Sequence, residues 1–421
     1  LKKAFFALYC AYAARYLTSF FSLPFLAREL GPVGLGDLAV ATSMVMVVSI
    51  WVEYGFSVSA LREISAAKPD DRGGIVIGVT TAKLVLWGVA GLTLGALKLF
   101  FPPISHFPAD LGLVVLLGGV QAFNLGWYFL GVGRASVSAV IDGLGALMWF
   151  IPAFFLVRSP SDVNLVLICQ LGSQAVLVLI AHGIIFTSLK RFSVDWVKVI
   201  EQVKSGGPLF FKKIAMAAHS AAIVLILGAM AGPVQVGYFN AADRFAGAIV
   251  ASFYPAAQAV MPYLFNRAAT DGSDSIFTAS RYMSIILLIA SIIITTSIYF
   301  TAHILIAVLA GPQYTPSIQI LQILAFTFPL VAINQALGLY IMLPLRLDVG
   351  FLAGVILGEC ASLILTYIWA SSLGAVGVAS FRVIEAAISA IVFSIVLYKK
   401  RYIQKLLFGR SGSKAIPAAH R

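Results

Sequence analysis

The sequence predicts an all-α integral membrane protein of about twelve transmembrane helices, organised as two six-helix halves. Three observations carry that prediction. Apolar runs of about 20 residues, the length that crosses a bilayer, recur from one end of the chain to the other. Of 421 residues, 60% are hydrophobic and only 11% charged, with a mean hydropathy of +0.97. The positive residues cluster in the connections between runs, which is the orientation signal of a membrane protein. The formal charge of +12 therefore reflects loop placement, and no nucleic-acid partner is expected.

Breaks in hydropathy, Gly/Pro punctuation and charge place the first six spans at Phe5–Ala27, Leu38–Leu61, Gly74–Phe100, Asp110–Leu130, Val137–Val157 and Val163–Leu189. The second six fall at Gly207–Met230, Tyr238–Leu264, Arg281–Val308, Ser317–Ile341, Val349–Ala370 and Ala375–Tyr398. The first run follows only Lys2 and Lys3 and lacks a small-residue cleavage pattern, so it is expected to remain as a span. The division that follows is a first half at 1–189, an amphipathic linker at 190–206, a second half at 207–398 and a basic tail at 399–421. In the linker, Trp196, Val199, Ile200 and Val203 recur at helical spacing opposite Lys198, Glu201 and Lys204, which predicts a helix in the membrane interface.

With both termini on one side, that side receives Arg62, Lys68, Arg72, Arg134, Lys190, Arg191, Lys212, Lys213, Arg267, Arg346 and the tail cluster. The other side receives Arg28, Arg158 and Lys98. The positive-inside rule then puts both termini in the cytoplasm of a multi-pass protein, with membrane lipids as its solvent. The outer connections are short, which excludes an external catalytic domain and argues against a membrane glycosyltransferase, ligase or polymerase. No GxxxxGK[ST] loop is present, so ATP does not drive the protein directly. Nothing resembles a channel filter. Cys10, Cys169 and Cys360 lie inside apolar runs with no metal spacing, and read as small buried hydrophobes; neither a metal nor another cofactor is expected.

The halves also look like repeats. Gly31-Pro-Val-Gly-Leu-Gly36 leads into the second span, and Gly232-Pro-Val-Gln-Val-Gly237 leads into the eighth. Both turns occupy the first outer connection of a six-span half. Six is even, so the halves have the same orientation, as parallel repeats about an axis along the membrane normal.

Leu23-Pro-Phe-Leu-Ala-Arg-Glu-Leu-Gly-Pro32 and Glu53-Tyr-Gly-Phe-Ser-Val-Ser-Ala-Leu-Arg-Glu-Ile-Ser65 resemble the first hairpin of polysaccharide (Wzx-type) flippases, within the multidrug/oligosaccharidyl-lipid/polysaccharide exporter superfamily. Gly207-Pro-Leu-Phe-Phe211, Val236-Gly-Tyr-Phe-Asn-Ala-Ala-Asp243 and Gly311-Pro-Gln-Tyr-Thr-Pro-Ser-Ile-Gln-Ile-Leu321 extend the resemblance along the chain. It implies two six-helix lobes around a central cavity that opens alternately to each side. The implied activity is translocation of a polyprenyl-pyrophosphate-linked oligosaccharide from the cytoplasmic to the outer leaflet of a bacterial or archaeal cytoplasmic membrane. A proton or Na+ gradient is the implied drive, and other membrane proteins of polysaccharide assembly are implied partners. The alternative is a multidrug exporter of the same superfamily, whose cavity would suit organic cations.

A charged side chain within a span is costly and marks a functional site by default. Arginine suits a pyrophosphate because it is always charged and forks onto phosphate oxygens. Arg15 lies halfway along its span; Lys83, Arg244 and Arg382 lie at similar depth. These four are the candidate pyrophosphate and cavity residues. The competing assignment for Arg15 is a structural ion pair, with Glu53 as one partner; for Arg382 it is a local pair with Glu385 at i,i+3. Glu53, Glu359 and Asp142 are the candidate coupling acids, since a carboxyl balanced between burial and a nearby cation can carry a proton. Asn124, Gln174, Asn240, Asn334 and Gln335 are among the neutral polar residues within spans. Helix–helix hydrogen bonds account for many of these, and sugar hydroxyls are an alternative partner. Trp149 reads as interface belt or packing.

Overall fold

The computed structural model describes the backbone of residues 2–100, 110–186, 196–270, 273–400 and Tyr402. The outer connection at 101–109, the start of the mid-chain connection at 187–195 and the tail at 403–421 lie outside the described residues. So do the side chains of residues 2–17, Arg15 among them. The elements are α1 (Lys2–Glu53), α2 (Phe56–Ala66), α3 (Arg72–Phe100), α4 (Leu111–Ala122), α5 (Gly126–Gly131), α6 (Ala135–Leu156) and α7 (Val163–Phe186). They continue with α8 (Trp196–Ala231), α9 (Pro233–Thr270), α10 (Ser273–Leu309), a 3-10 turn (Pro312–Tyr314), α11 (Pro316–Ala325) and α12 (Thr327–Asn334). A π-helical stretch (Gln335–Met342) and α13 (Asp348–Lys399) complete the chain.

No strand occurs among the described residues. Inside a bilayer no water is present to satisfy an open backbone, and helices bond every peptide within themselves. A crossing needs about 20 residues. The helices α1 and α13, 52 residues each, therefore hold two crossings apiece, broken at Gly31 (φ 63°) and Gly374 (φ 54°). Taking α4 with α5, and α11 with α12 and the π-helical stretch, as single crossings gives six up to Phe186 and six from Trp196 onward. The chain is a multi-pass membrane protein with the predicted span count. One local difference concerns the linker, whose described residues 196–206 are the first turns of α8 and run directly into the next span. Part of their apolar face packs on protein: Val199 joins a core with Phe56, Ala60 and Ile64 of α2, and Val203 packs against it, while Trp196 and Ile200 stay exposed. Cys169 is buried as expected, but Cys360 is exposed.

By their contacts the residues form two compact units, 1–241 with 307–314, and 242–306 with 315–421. In the first, the motifs singled out in the sequence gather at one end. Gly31 and Gly232 (φ 81°) both take the left-handed conformation that turns the chain into a following proline. The two turns then cross reciprocally. A Cβ at Gly36 would overlap the Pro233 carbonyl, and a Cβ at Gly237 would overlap the Pro32 carbonyl. Only glycine permits two helix backbones to approach this closely. Around the crossing, the Tyr314 hydroxyl donates to the Ala27 carbonyl at 3.1 Å, and Arg28 donates through Nη2 to the Val308 carbonyl at 2.5 Å. Tyr314 is fully buried. Burial first, and then neighbouring Tyr238, push its ionisation above the usual phenol range, so it remains a donor at working pH. Glu29 and Arg158 add a 3.7 Å surface pair, worth little energetically.

In the second unit, side-chain hydroxyls and amides knit neighbouring helices. Thr295 donates to the Ala325 carbonyl at 3.0 Å. Asn334 donates through Nδ2 to the Ala386 carbonyl at 3.0 Å, and Ser389 to the Gly354 carbonyl at 3.1 Å. Phe351 and Phe393 stack at 5.4 Å, and Gly338 of the π-helical stretch lies against both rings. Asn334 thus serves helix packing, one of the two roles open to it from sequence.

The reciprocal crossing makes a prediction. Gly36→Val must displace backbone rather than a flexible side chain, so it should cost about 1–3 kcal/mol. Gly31→Ala, which has open space but an unfavourable φ, should cost about 1 kcal/mol. Thermal melts of the detergent-purified variants, followed by retention of the monodisperse peak, measure both; equal melting temperatures for Gly36→Val and wild type would refute the crossing.

Candidate functional site

Two polar constellations lie within the spans, one in each unit. The first surrounds a break in a helix. α4 begins at an Asp110 cap, whose side chain accepts from the Gly112 N–H at 2.7 Å. It stops at Ala122, and Phe123 to Leu125 are non-helical before α5. Side chains meet two of the backbone groups at the break. The ammonium of Lys83, only 2% exposed, donates to the Ala122 carbonyl at 2.6 Å, the position where a helix C-terminus favours a cation. The Asn124 carbonyl oxygen accepts from the Gly126 N–H at 2.6 Å. Its amide nitrogen donates to Asp142 of α6 at 3.3 Å. Lys83 and Asp142, predicted for different tasks, are thus both fastened to one helix break.

Beside the break lies a cavity of about 380 Å³ between α5, α6 and α7, lined by Asn124, Ser138, Asp142, Trp149 and Gln174 together with apolar residues. His182, one turn beyond on α7, bonds through Nδ1 with the Val178 carbonyl at 2.9 Å. Glu53 lies elsewhere in this unit. It is 8% exposed, and its two oxygens accept from the backbone N–H groups of Gly55 and Ser57. That geometry caps α2 after the left-handed pair Tyr54 (φ 49°) and Gly55 (φ 84°). Arg15 belongs to α1, and its side chain lies outside the described residues.

The second constellation is a charge cluster in the second unit. Arg382 of α13 reaches Asp243 of α9, Nη2 to Oδ1, at 3.9 Å, with both side chains about one-third exposed (29% and 35%). Glu359, on the other leg of α13, lies within electrostatic reach of Glu385 and Arg382. Glu385 is in reach of Arg382 and Asp243. The two legs of α13 meet closely here: a Cβ at Gly358 would lie 2.7 Å from the Glu385 carbonyl. Arg244, next to Asp243, has an exposed side chain. Three carboxyls therefore surround the Arg382 guanidinium within the membrane, and Arg244 lies in electrostatic reach of Asp243. The surplus negative charge is expensive there, and a bound proton removes it.

Of the predicted residues, the structure brings Arg382 and Glu359 together, with Arg244 beside Asp243, and separately Lys83 and Asp142. Two members escaped the sequence reading. Asp243 looked like a mere neighbour of Arg244, and Glu385 a local partner of Arg382. Arg382 also makes a long-range pair, to Asp243 of α9, beside its electrostatic contact with Glu385.

These helices define a polytopic membrane protein whose polar groups are concentrated at interrupted and charge-bearing spans. The chain belongs to the polysaccharide biosynthesis protein family, whose model matches residues 1–267. Proteins of Escherichia coli (strain K12) and Shigella dysenteriae, both bearing the name "Putative O-antigen transporter", are similar along most of their length. The first is 24% identical over 335 residues, covering 78% of this chain and 80% of the relative. The second is 25% identical over 354 residues, covering 82% and 86%. Among solved structures, lipid II flippase MurJ in an inward closed conformation shares the fold, with a TM-score of 0.68 at 14% identity over 96% of this chain and 90% of that one. An inward-facing multidrug resistance MATE transporter of the MOP superfamily does so with a TM-score of 0.63 at 15% identity, over 97% and 96%.

The charge cluster predicts an asymmetric response to mutation. Arg382→Ala leaves three carboxyls with one neighbouring guanidinium and should destabilise by roughly 1–3 kcal/mol. Asp243→Ala added to it should restore part of that loss. A double-mutant cycle on thermal stability reads the coupling, and strict additivity would show that the two residues do not interact.

Proposed function

We propose that the protein is a flippase that carries a polyprenyl-pyrophosphate-linked oligosaccharide from the cytoplasmic to the outer leaflet of the cytoplasmic membrane by alternating access. It is a transporter rather than an enzyme in this reading, with both termini cytoplasmic and a six-span lobe on either side of a linker at 190–206. Family membership, the O-antigen transporter relatives and the fold shared with a lipid II flippase support it. The single observation that carries the coupling is the cluster of Asp243, Glu359 and Glu385 around Arg382. Its surplus charge makes protonation a natural partner of conformational change. The coupling ion in this reading is H+ or Na+, and the cluster makes H+ the one tested first. Within the cluster Glu359 is our coupling acid, and Arg15 is retained as the guanidinium that meets the pyrophosphate. Lys83 and Glu53, both bonded to backbone at helix ends, fit supporting roles better than contact with cargo.

Proteoliposomes loaded with a panel of lipid-linked glycans and organic cations test the reading. Wild type should flip the glycan lipids, faster under an imposed proton gradient, and leave the cations untransported. Arg15→Ala should lower flipping by at least about 10-fold, the worth of one charge-assisted contact. Glu359→Gln should keep a basal rate while losing gradient dependence. Transport of cations alone, or a gradient response unchanged in Glu359→Gln, would overturn the corresponding part.

A further inference from the structure

The cavity beside the α4–α5 break has features that helix packing does not require. Irregular backbone at membrane depth is tolerated where it is buried in protein or lines a cavity, and interrupted helices commonly border transport sites. At about 380 Å³ the cavity falls within the range of small-ligand sites, roughly 300–1,000 Å³. Its polar lining converges from three helices. Asn124 stands at the break, Ser138 and Asp142 on one face of α6, and Gln174 on α7. All four side chains are only half-buried, which leaves polar surface facing the cavity.

The chemistry of this lining selects a ligand class. It offers amide and hydroxyl donors and acceptors beside one carboxylate, a set that matches several hydroxyls at once. No Arg or Lys is among its described lining residues, so a phosphate group has no cationic partner there and meets the Asp142 carboxylate. The ammonium of Lys83 already caps Ala122, two residues before Asn124, whose amide bonds Asp142. That nearby positive charge disfavours an organic cation. Trp149 supplies an indole, a large rigid apolar body suited to the C–H face of a sugar ring. We propose that this cavity is a saccharide subsite that seats one pyranose ring of the transported glycan, held by Asp142, Gln174, Ser138 and Asn124 and packed on Trp149. The source of the sugar rests on the flippase reading; the cavity's preference for a hydroxylated ring does not.

The test uses full-length protein in nanodiscs and soluble methyl hexopyranosides and methyl 2-acetamido-2-deoxyhexopyranosides as probes. Saturation-transfer NMR should show transfer to the ring C–H protons of at least one of them. Gln174→Leu removes hydrogen bonds without shrinking the residue and should weaken binding by about 5-fold. Ala146→Trp, which fills the cavity from a lining position, should abolish the transfer, whereas Trp149→Phe should retain part of it. A thermal melt like that of wild type qualifies each variant, and Trp149→Phe serves if Ala146→Trp does not fold. Absence of transfer for every sugar, or transfer that survives Ala146→Trp, would overturn the subsite, as would tetraphenylphosphonium binding that Ala146→Trp removes. Flipping of glycan lipid by wild type alongside no sugar binding rejects the subsite and keeps the flippase reading. Sugar binding lost in Ala146→Trp alongside no flipping by wild type does the reverse.

Discussion

A backbone peptide that loses its helical partner inside a bilayer has no water to take its place. The arrangement of this protein follows from that constraint. Two of the described breaks carry side-chain devices that answer them. Lys83 meets the carbonyl left at the end of α4, and Asn124 folds back on the Gly126 N–H. Glu53 takes the free N–H groups at the start of α2. The cost of leaving such groups unmet, about 1–3 kcal/mol each even in a protein interior, exceeds that of burying the long side chains that meet them. Polar residues that look anomalous in an apolar run are therefore first of all the repair of its interruptions.

The two constellations differ in what remains after that repair. Around the α4–α5 break, charge is largely satisfied and a neutral polar cavity is left, suited to hydroxyl-rich matter. Around Arg382, the balance is not closed: three acids surround its guanidinium, with Arg244 in reach of Asp243, and the state of lowest charge includes a proton. A transporter of a bulky polar cargo needs both kinds of place. One must recognise, and the other must change its charge as the protein cycles. Gly36 and Gly237 supply a third element, a crossing that glycine alone makes close and that no side chain interlocks.

Much of this was legible along the chain. Span number, the doubled Gly-Pro-Val turn and the polar residues at mid-depth are local or periodic signals. The Gly-Pro-Gln-Tyr motif was noticed too, though not its purpose: the Tyr314 hydroxyl bonds a carbonyl 287 positions away, and no local pattern encodes that distance. The pairing of Arg382 with Asp243 of α9, beyond its i,i+3 neighbour Glu385, was hidden for the same reason. Trp149 read as belt or packing because an aromatic within a span usually is one or the other; only the juxtaposition of α5, α6 and α7 places it at a cavity.

What the sequence by itself determined is the class of molecule. Hydropathy is summed over consecutive residues, and a run of about 20 apolar positions leaves the backbone no option but helix across the membrane. Glycine and proline fixed where those helices turn, since a left-handed φ is a property of the residue. The tertiary structure alone decided the use of each charge. Lys83 became a helix cap, Glu53 a helix cap at another end, and Glu359 a member of a cluster, although all three look alike as ionisable residues within apolar runs. Electrostatic interaction falls with distance in space rather than along the chain, and that distance is set only when the helices pack.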